Sequence, residues 1–261
     1  MNAQSSRSNR RRVNPRGGPV WLFDLDNTLH HASHEIFPAI NRGMTQYIID
    51  RLGVDLTEAN RLRTGYTERY GATLLGLVRH HPVDAADFLH VVHTFTDLAS
   101  MVRAERGLAR MIRGLPGRKI VLTNAPSIYA HAVLSELGIG KLFERVIAIE
   151  DMQDRSGYWR AKPDAAMLRR AMRRAHVALA DAVLVEDTRG HLKRYKRLGI
   201  RTVWITGHLP AVLNASGARS VQTHSSRPHY VDLKVRSLKG LSALRSGPLP
   251  GPRSGAALKA R

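Results

Sequence analysis

Short apolar runs that each end in polar residues, spaced by stretches of helical period, constrain this chain more than any other feature in it. Lys119-Ile-Val-Leu-Thr-Asn124 is such a run. Ser127 to Leu137 follows it, with Ala130, Val133, Leu134 and Leu137 at the i, i+3, i+4, i+7 spacing of a helix and Gly138 placed to end it. Val146 to Ile149 reads as another strand. Pro163 stands where a helix would begin, with Asp164 in its first turn. Leu168, Ala171, Met172 and Ala175 make the buried stripe of that helix, and Arg169, Arg170, Arg173 and Arg174 its outer side. Ala182 to Val185 is a strand ending in Glu186-Asp187, followed by a basic helix from about His191 to Leu198 and a strand from Thr202 to Ile205. Residues 211–228 are expected to be a loop and Tyr230 to Leu233 a last edge strand. Upstream, Val20 to Phe23 is a buried strand that stops at Asp24. Strands alternating with helices imply an α/β fold whose parallel sheet is covered on both faces.

Between the first strand and the second, residues 36–104 show a helical pattern and no convincing strand, so they are expected to form an inserted helical unit. The expected organisation is a basic arm over residues 1–18, a core from residues 19–35 and 105–241, a helical insertion over residues 36–104, and a tail over residues 242–261. The arm is poor in apolar residues and the tail, from Ser246, is rich in Gly, Pro, Ser and Ala, so both are expected to be disordered.

The 261 residues carry a formal charge of +20. Arg7, Arg10, Arg11, Arg12 and Arg16 in the arm and Arg245, Arg253, Lys259 and Arg261 in the tail account for nine cations, with no acid among them, which leaves +11 on residues 19–241. A basic body attracts anionic substrates, and nucleic acid as a non-specific contact of the tails. Aromatic residues are only 6% of the chain, so base-stacking platforms are not evident and a dedicated nucleic-acid binder is the lesser reading. There is no cysteine, which excludes disulfides, thiolate zinc sites and cysteine nucleophiles and fits a cytoplasmic location. No apolar run approaches the ~18 residues that cross a bilayer, so no membrane partner is expected. Oligomeric state is left open.

Polar residues gather at the carboxyl ends of the strands: Asp24 and Asp26, Thr123 and Asn124, Glu186 and Asp187, with Lys162 just before a helix start. In an open parallel sheet these ends face one crevice where ligands bind. Their types suit phosphoryl transfer. Crowded carboxylates repel one another and need a cation, and oxygen ligands alone favour a hard ion such as Mg²⁺. One carboxylate can attack phosphorus while the metal and Lys162 neutralise charge. A second can give a proton to the leaving oxygen and later take one from water, and Thr123 can donate to a phosphoryl oxygen.

Asp24-Leu-Asp-Asn-Thr28 after a hydrophobic strand resembles the first motif of the haloacid dehalogenase superfamily. Thr123-Asn124 is similar to the second, Lys162-Pro163-Asp164 to the third, and Val185-Glu186-Asp187-Thr188 to the fourth. The resemblance covers residues 20–190, and the four motifs in order are far more specific than any one of them. It implies a Rossmann-like parallel core with a type 1 helical cap between the first two motifs. It further implies that Asp24 is the nucleophile and that Asp26 is the general acid and base, with its backbone carbonyl on Mg²⁺. Asp24, Asp187 and Glu186 would share that metal, and Lys162 would hold the nucleophile and the phosphoryl group. Asp26 argues for a phosphatase or mutase, because the dehalogenase members lack the second acid.

Within the superfamily the chain looks most like the pyrimidine 5′-nucleotidase subgroup. Phe23 to Leu29, Tyr66-Thr-Glu-Arg-Tyr-Gly71 leading into Leu75-Gly-Leu77, and Phe88 to Val92 beyond His80-His81 carry that likeness. It implies a small phosphomonoester as substrate, with Thr28, Asn124, Tyr66 and Tyr70 as substrate-binding residues. The tyrosines, four apart on a helix, either pack in the cap or turn one ring to a nucleobase. Glu186 departs from the Asp-Asp often seen in that subgroup and keeps a sugar-phosphate phosphatase or phosphomutase open. His30, His31 and His34 read as polar loop residues, and His80, His81, His90 and His93 as part of the helical insertion rather than a second metal site.

Overall fold

Every side chain of β1 (Val20–Phe23) is buried, because its neighbours pair along both edges and its two faces meet different layers. In the computed structural model, which describes residues 18–209, 211–213, 219–221 and 226–245, β1 lies inside a six-stranded sheet of order β3-β2-β1-β4-β5-β8. The partners are β2 (Arg118–Leu122), β3 (Arg145–Ile147), β4 (Ala182–Glu186), β5 (Arg201–Ile205) and the edge strand β8 (Leu233–Val235), all parallel. Val20 lies opposite Arg118 on one side and Ala182 on the other. Trp21 and Phe23 point to one face, with Val121, Val183, Val185 and Val203. Val20 and Leu22 point to the other, with Ile120, Leu122, Leu184 and Trp204. This is the period of two expected of a strand covered on both sides.

On the first face pack α6 (Leu108–Arg113) and α7 (Ser127–Glu136), through Ile112, Tyr129, Ala130, Val133 and Leu134. On the second pack α8 (Ala165–Arg174) and α9 (Arg189–Lys196), through Met167, Leu168, Met172, Leu192 and Tyr195. Five helices separate β1 from that framework: α1 (Ile36–Leu52), α2 (Leu56–Tyr70), α3 (Thr73–His80), α4 (Ala85–His93) and the single turn α5 (Leu98–Met101). Their apolar sides join the first-face cluster through Ile40, Leu62, Leu77, Phe88 and Val92. Asp55 and Asp84 cap α2 and α4, accepting from the backbone N–H of Glu58 and Asp87. At Gly76 a Cβ would fall 2.1 Å from the Tyr66 ring, so only glycine lets α3 approach α2 this closely.

The chain runs from β1 outward to β2 and β3, then crosses to β4 and proceeds outward the other way. The strand order therefore reverses at the β1/β4 pair, where a crevice opens beyond the carboxyl ends. Some boundaries differ from expectation. Helix α8 starts at Ala165, because Asp164 is its N-cap and accepts the Met167 N–H at 2.7 Å. The edge strand lies at Leu233–Val235, three residues later than expected, because Asp232 is drawn back to the Thr202 N–H and to Lys196. The segment expected to be a loop contains an antiparallel hairpin of β6 (Ala211–Leu213) and β7 (Arg219–Val221). A 3₁₀ segment, Leu238–Arg245, runs four residues into the expected tail. The arm up to residue 17 and the tail from residue 246 lie outside the described residues. Among the described residues, no helix is long and apolar enough to cross a membrane.

Candidate active site

β1 delivers Asp24 to the crevice, and its N–H is tied to the Val185 carbonyl of β4 at 3.0 Å. The side chain is 6% exposed. Lys162 Nζ donates to its Oδ1 at 2.5 Å and Thr28 Oγ1 to its Oδ2 at 3.2 Å. Lys162 is itself buried and is placed by the strand-end residue Asn124. The Asn124 carboxamide accepts the Lys162 N–H at 2.7 Å and donates to the Lys162 carbonyl at 3.3 Å. The ammonium also donates to Glu186 Oε2 at 2.8 Å, so one lysine bridges the ends of β1 and β4. Glu186 further accepts the Thr188 N–H at 3.0 Å and lies 3.0 Å from His191 Nδ1. Asp187 follows, its carbonyl fixed by the Trp204 indole N–H and its carboxylate accepting from the Thr188 hydroxyl.

Asp24, Glu186 and Asp187 can each present a carboxylate oxygen within 4.8 Å of the others. Among the described residues, Lys162 supplies the one ammonium paired with this trio. Burial, then the Glu186 charge, push the Asp24 carboxyl up to about 7 although Lys162 pulls the other way. Asp187 is pushed well above the usual carboxylate range by burial and by the Glu186 and Asp24 charges. Burial also works to raise Glu186, but Lys162 and His191 overcome it and hold Glu186 well below its ordinary value. For Lys162, burial opposes the charge and the two carboxylates outweigh it, leaving the amine more basic than usual. Three carboxylates against one ammonium are under-neutralised, and oxygen-only donors in that condition suit a hard divalent cation.

Asp26 is oriented differently. Asn27 adopts a left-handed conformation at φ 58°, which asparagine tolerates, and its side chain pairs with the N–H and Oγ of Ser33. Beyond that turn the Asp26 carboxyl leaves the three-carboxylate cluster. Its Oδ1 accepts from the Tyr129 hydroxyl at 2.6 Å and lies 2.9 Å from His30 Nε2. If its bond to a metal runs through the backbone carbonyl, as expected, the side chain would be free of that duty.

Above these residues lies a cavity of about 480 Å³. Its floor includes Asp24, Asp26, Thr123, Asn124, Lys162, Glu186 and Asp187. Thr123 Oγ1 accepts the Ala125 N–H at 3.0 Å, which leaves its O–H as a donor on the cavity wall. The roof is built from α1, α2 and α4: apolar Phe37, Ile40, Met44, Phe88 and Leu89, with polar Asn41, Arg63 and Thr67. Arg63 donates to Thr45, Asn41 and Asn60, all neutral acceptors. His93 also lines the cavity, and burial lowers its pKa to about 4, so it is neutral.

The residues expected to carry chemistry therefore meet at one floor. Those expected to bind substrate divide. Asn124 reaches the cavity but is committed to the Lys162 backbone, and Thr28 supports Asp24 from beneath. Tyr66 and Tyr70 do not line the cavity; their hydroxyls lie 2.8 Å from His81 Nε2 and 2.6 Å from His80 Nε2, on the side of α2 that meets α3. The two rings pack against each other and against those of His80 and His81. Sequence reasoning missed Tyr129, Arg63, His93 and His191. A tyrosine on the buried face of α7 was the one available signal.

A family model for haloacid dehalogenase-like hydrolases matches residues 20–190. The chain belongs to that family. It is 24% identical over 193 residues to phosphate metabolism protein 8 of Saccharomyces cerevisiae, a match covering 69% of this chain and 59% of the yeast protein. It is 30% identical over 89 residues to a phosphoglycolate phosphatase of Colwellia psychrerythraea, covering 34% of this chain and 37% of that one. The matches thus span about half the length of these curated relatives. Among solved structures, CbbY from Rhodobacter sphaeroides in complex with phosphate aligns with a TM-score of 0.58 at 21% identity, over 86% of this chain and 96% of that one. At that identity the likeness is one of fold.

Proposed function

We propose that this hydrolase is a Mg²⁺-dependent phosphomonoesterase that works through an aspartyl-phosphate on Asp24, and that it acts on nucleoside monophosphates, pyrimidine ones foremost. The observation that carries the reading is Asp24 itself, buried on the cavity floor with Lys162 Nζ 2.5 Å from Oδ1 and two further carboxylates beside it. Asp24, Glu186 and Asp187, with the Asp26 carbonyl, would hold the Mg²⁺, which when bound supplies positive charge for the phosphoryl oxygens. Asp24 attacks phosphorus: an O–P bond forms, the bond to the leaving oxygen breaks, and its electron pair departs with that oxygen. Asp26 gives the leaving oxygen a proton. Lys162 and the Thr123 O–H stabilise the charge of the phosphoryl group in flight. Water then attacks phosphorus, Asp26 takes back a proton, and phosphate leaves Asp24 free.

The size and lining of the cavity support a nucleotide. A space of about 480 Å³ with one apolar wall and one Asn/Arg wall exceeds what a two-carbon acid phosphate fills. The helices of residues 36–104 act in this reading as a cap domain that closes over substrate and excludes water, with residues 19–35 and 105–241 as the catalytic core. A cytoplasmic location belongs to the same reading, and cell fractionation tests it. The second reading, a sugar-phosphate or phosphoglycolate phosphatase, is favoured by Glu186 and by the name of the Colwellia relative.

With Mg²⁺ present, Asp24→Asn is expected to lower phosphate release by at least about 10³-fold. Unchanged turnover overturns the mechanism. Release from UMP and CMP above that from 2-phosphoglycolate and hexose phosphates supports the nucleotidase. The reverse order supports the second reading, and isomerisation without free phosphate would mark a mutase.

A further inference from the structure

Asp26 is gripped on one oxygen only. Its Oδ1 takes the Tyr129 hydroxyl at 2.6 Å and His30 Nε2 at 2.9 Å, and the two donors are themselves 3.4 Å apart. Tyr129 is 1% exposed and His30 fully buried, so neither contact is shared with bulk water. Each comes from a different element. His30 stands four residues past Asp26 in the loop after β1, and Tyr129 lies in the first turn of α7, 103 residues away. Apart from Asp26 and the Tyr129 hydroxyl, the His30 ring has no hydrogen-bond partner among the described residues, and its Nδ1 is buried without one. A buried polar atom left unmatched has a cost, and the contact to Asp26 is what that placement of the ring achieves. Rings of His93 and Phe95 stand 5.8 and 5.9 Å from the Tyr129 ring and hold it from the side of the helical insertion.

We infer that Tyr129 and His30 are positioning residues that pin Oδ1 of Asp26, so that Oδ2 is the oxygen that exchanges a proton with the leaving group. The inference rests on the phosphatase reading above. Two donors on Oδ1 restrain rotation about the Cβ–Cγ bond. Asp26 lines the cavity, and Oδ2 is the oxygen without these partners. In the first step the proton on Oδ2 moves to the leaving oxygen as that oxygen takes the P–O electron pair, and Asp26 becomes a carboxylate. Both donors then face a full negative charge, and their hydrogen bonds strengthen at the moment proton transfer needs them. In the second step Oδ2 recovers a proton from the attacking water.

This role has a signature that structural support alone would not give. A leaving group of low basicity departs without a proton and does not need Asp26, whereas an alkoxide does. The experiment compares wild type, Tyr129→Phe, His30→Leu and His30→Gln on UMP and on 4-nitrophenyl phosphate with Mg²⁺, after circular dichroism shows each variant folded. Tyr129→Phe and His30→Leu are expected to lose about tenfold or more in kcat/KM on UMP and less than about threefold in kcat/KM on 4-nitrophenyl phosphate, because kcat/KM reports the first step, where the leaving groups differ, and not the water attack common to both esters. His30→Gln, whose amide nitrogen replaces Nε2, is expected to recover most of the loss. Equal losses on both esters, or no loss on either, overturn the inference while the phosphatase reading stands. A wild type that releases phosphate from neither ester nor from any other monoester removes the reading and the inference with it. Should Tyr129→Phe fail to fold, the two His30 variants decide the matter alone.

Discussion

Asp24 is the residue at which the proposed function and stability conflict most directly. With its carboxyl raised from 3.8 to about 7, the folded protein binds this proton more tightly than the unfolded chain does. Between about pH 4 and pH 7 the native state therefore holds more protons, and its stability falls as pH rises through that window. Asp24→Asn removes the term while keeping an oxygen for Lys162. In the absence of divalent cations the variant is expected to match wild type near pH 4 and to exceed it above pH 7 by on the order of 1–4 kcal/mol, read from urea denaturation. Millimolar Mg²⁺ should stabilise wild type more than the variant and narrow or reverse the difference. A variant less stable than wild type at neutral pH without metal would contradict the burial argument. At this scale the candidate site was largely readable in advance. Asp24, Lys162, Glu186 and Asp187 each stand in a short local motif at a strand end or helix start. Tyr129 and His30 were not readable in their role. Their partner, Asp26, is reached by a hydrogen bond spanning 103 residues in one case and by an irregular loop in the other, and neither leaves a periodicity.

Helix α8 shows how an element places a side chain that it does not itself contain. Asp164 caps the helix through the Met167 N–H at 2.7 Å and stands two residues after Lys162, in the loop that Asn124 clamps from the neighbouring strand. Loss of the cap should therefore loosen both the helix start and the ammonium. Asp164→Ala is expected to cost about 1 kcal/mol of stability and also to lower kcat several-fold. Asp55→Ala removes an equivalent cap from α2, where the Glu58 N–H bonds Asp55 at 2.8 Å, remote from the site. It should give a similar stability loss with kcat unchanged. Thermal unfolding and steady-state kinetics on both variants check the contrast, and equal kcat effects would refute it. The same helix shows why elements were easier to foresee than their boundaries. Its buried stripe Leu168, Ala171 and Met172 follows from the 3.6-residue period, whereas its first residue depends on a single cap bond. The hairpin of β6 and β7 has only three-residue arms, too short for any period to declare itself.

Over the whole molecule two electrostatic scales oppose each other. The cluster of Asp24, Glu186 and Asp187 on the site floor is acidic at short range, three carboxylates against the Lys162 ammonium, while the chain carries +20. The proposed substrate, a dianionic phosphomonoester, would thus be attracted from afar and need a cation on arrival. Trimming to residues 18–245 removes eight cations and no acid, leaving +12, so most of the long-range field belongs to the folded body. The outer faces of α8 and α9 contribute to it through Arg169, Arg173, Arg174, Lys193, Arg194 and Arg197, which are exposed and, among the described residues, make no ion pair. Raising salt from about 0.01 M to about 0.15 M shortens the screening length from about 30 Å to about 8 Å. At fixed Mg²⁺, kcat/KM for UMP is expected to fall several-fold across that range with kcat nearly constant, because encounter is screened and chemistry inside the cavity is not. The trimmed chain should keep more than half of that salt dependence. Its disappearance on trimming would assign steering to the tails. A kcat that falls in parallel with kcat/KM would mean that salt acts on the carboxylate cluster itself, by competing for its cation, and not on the approach of the substrate.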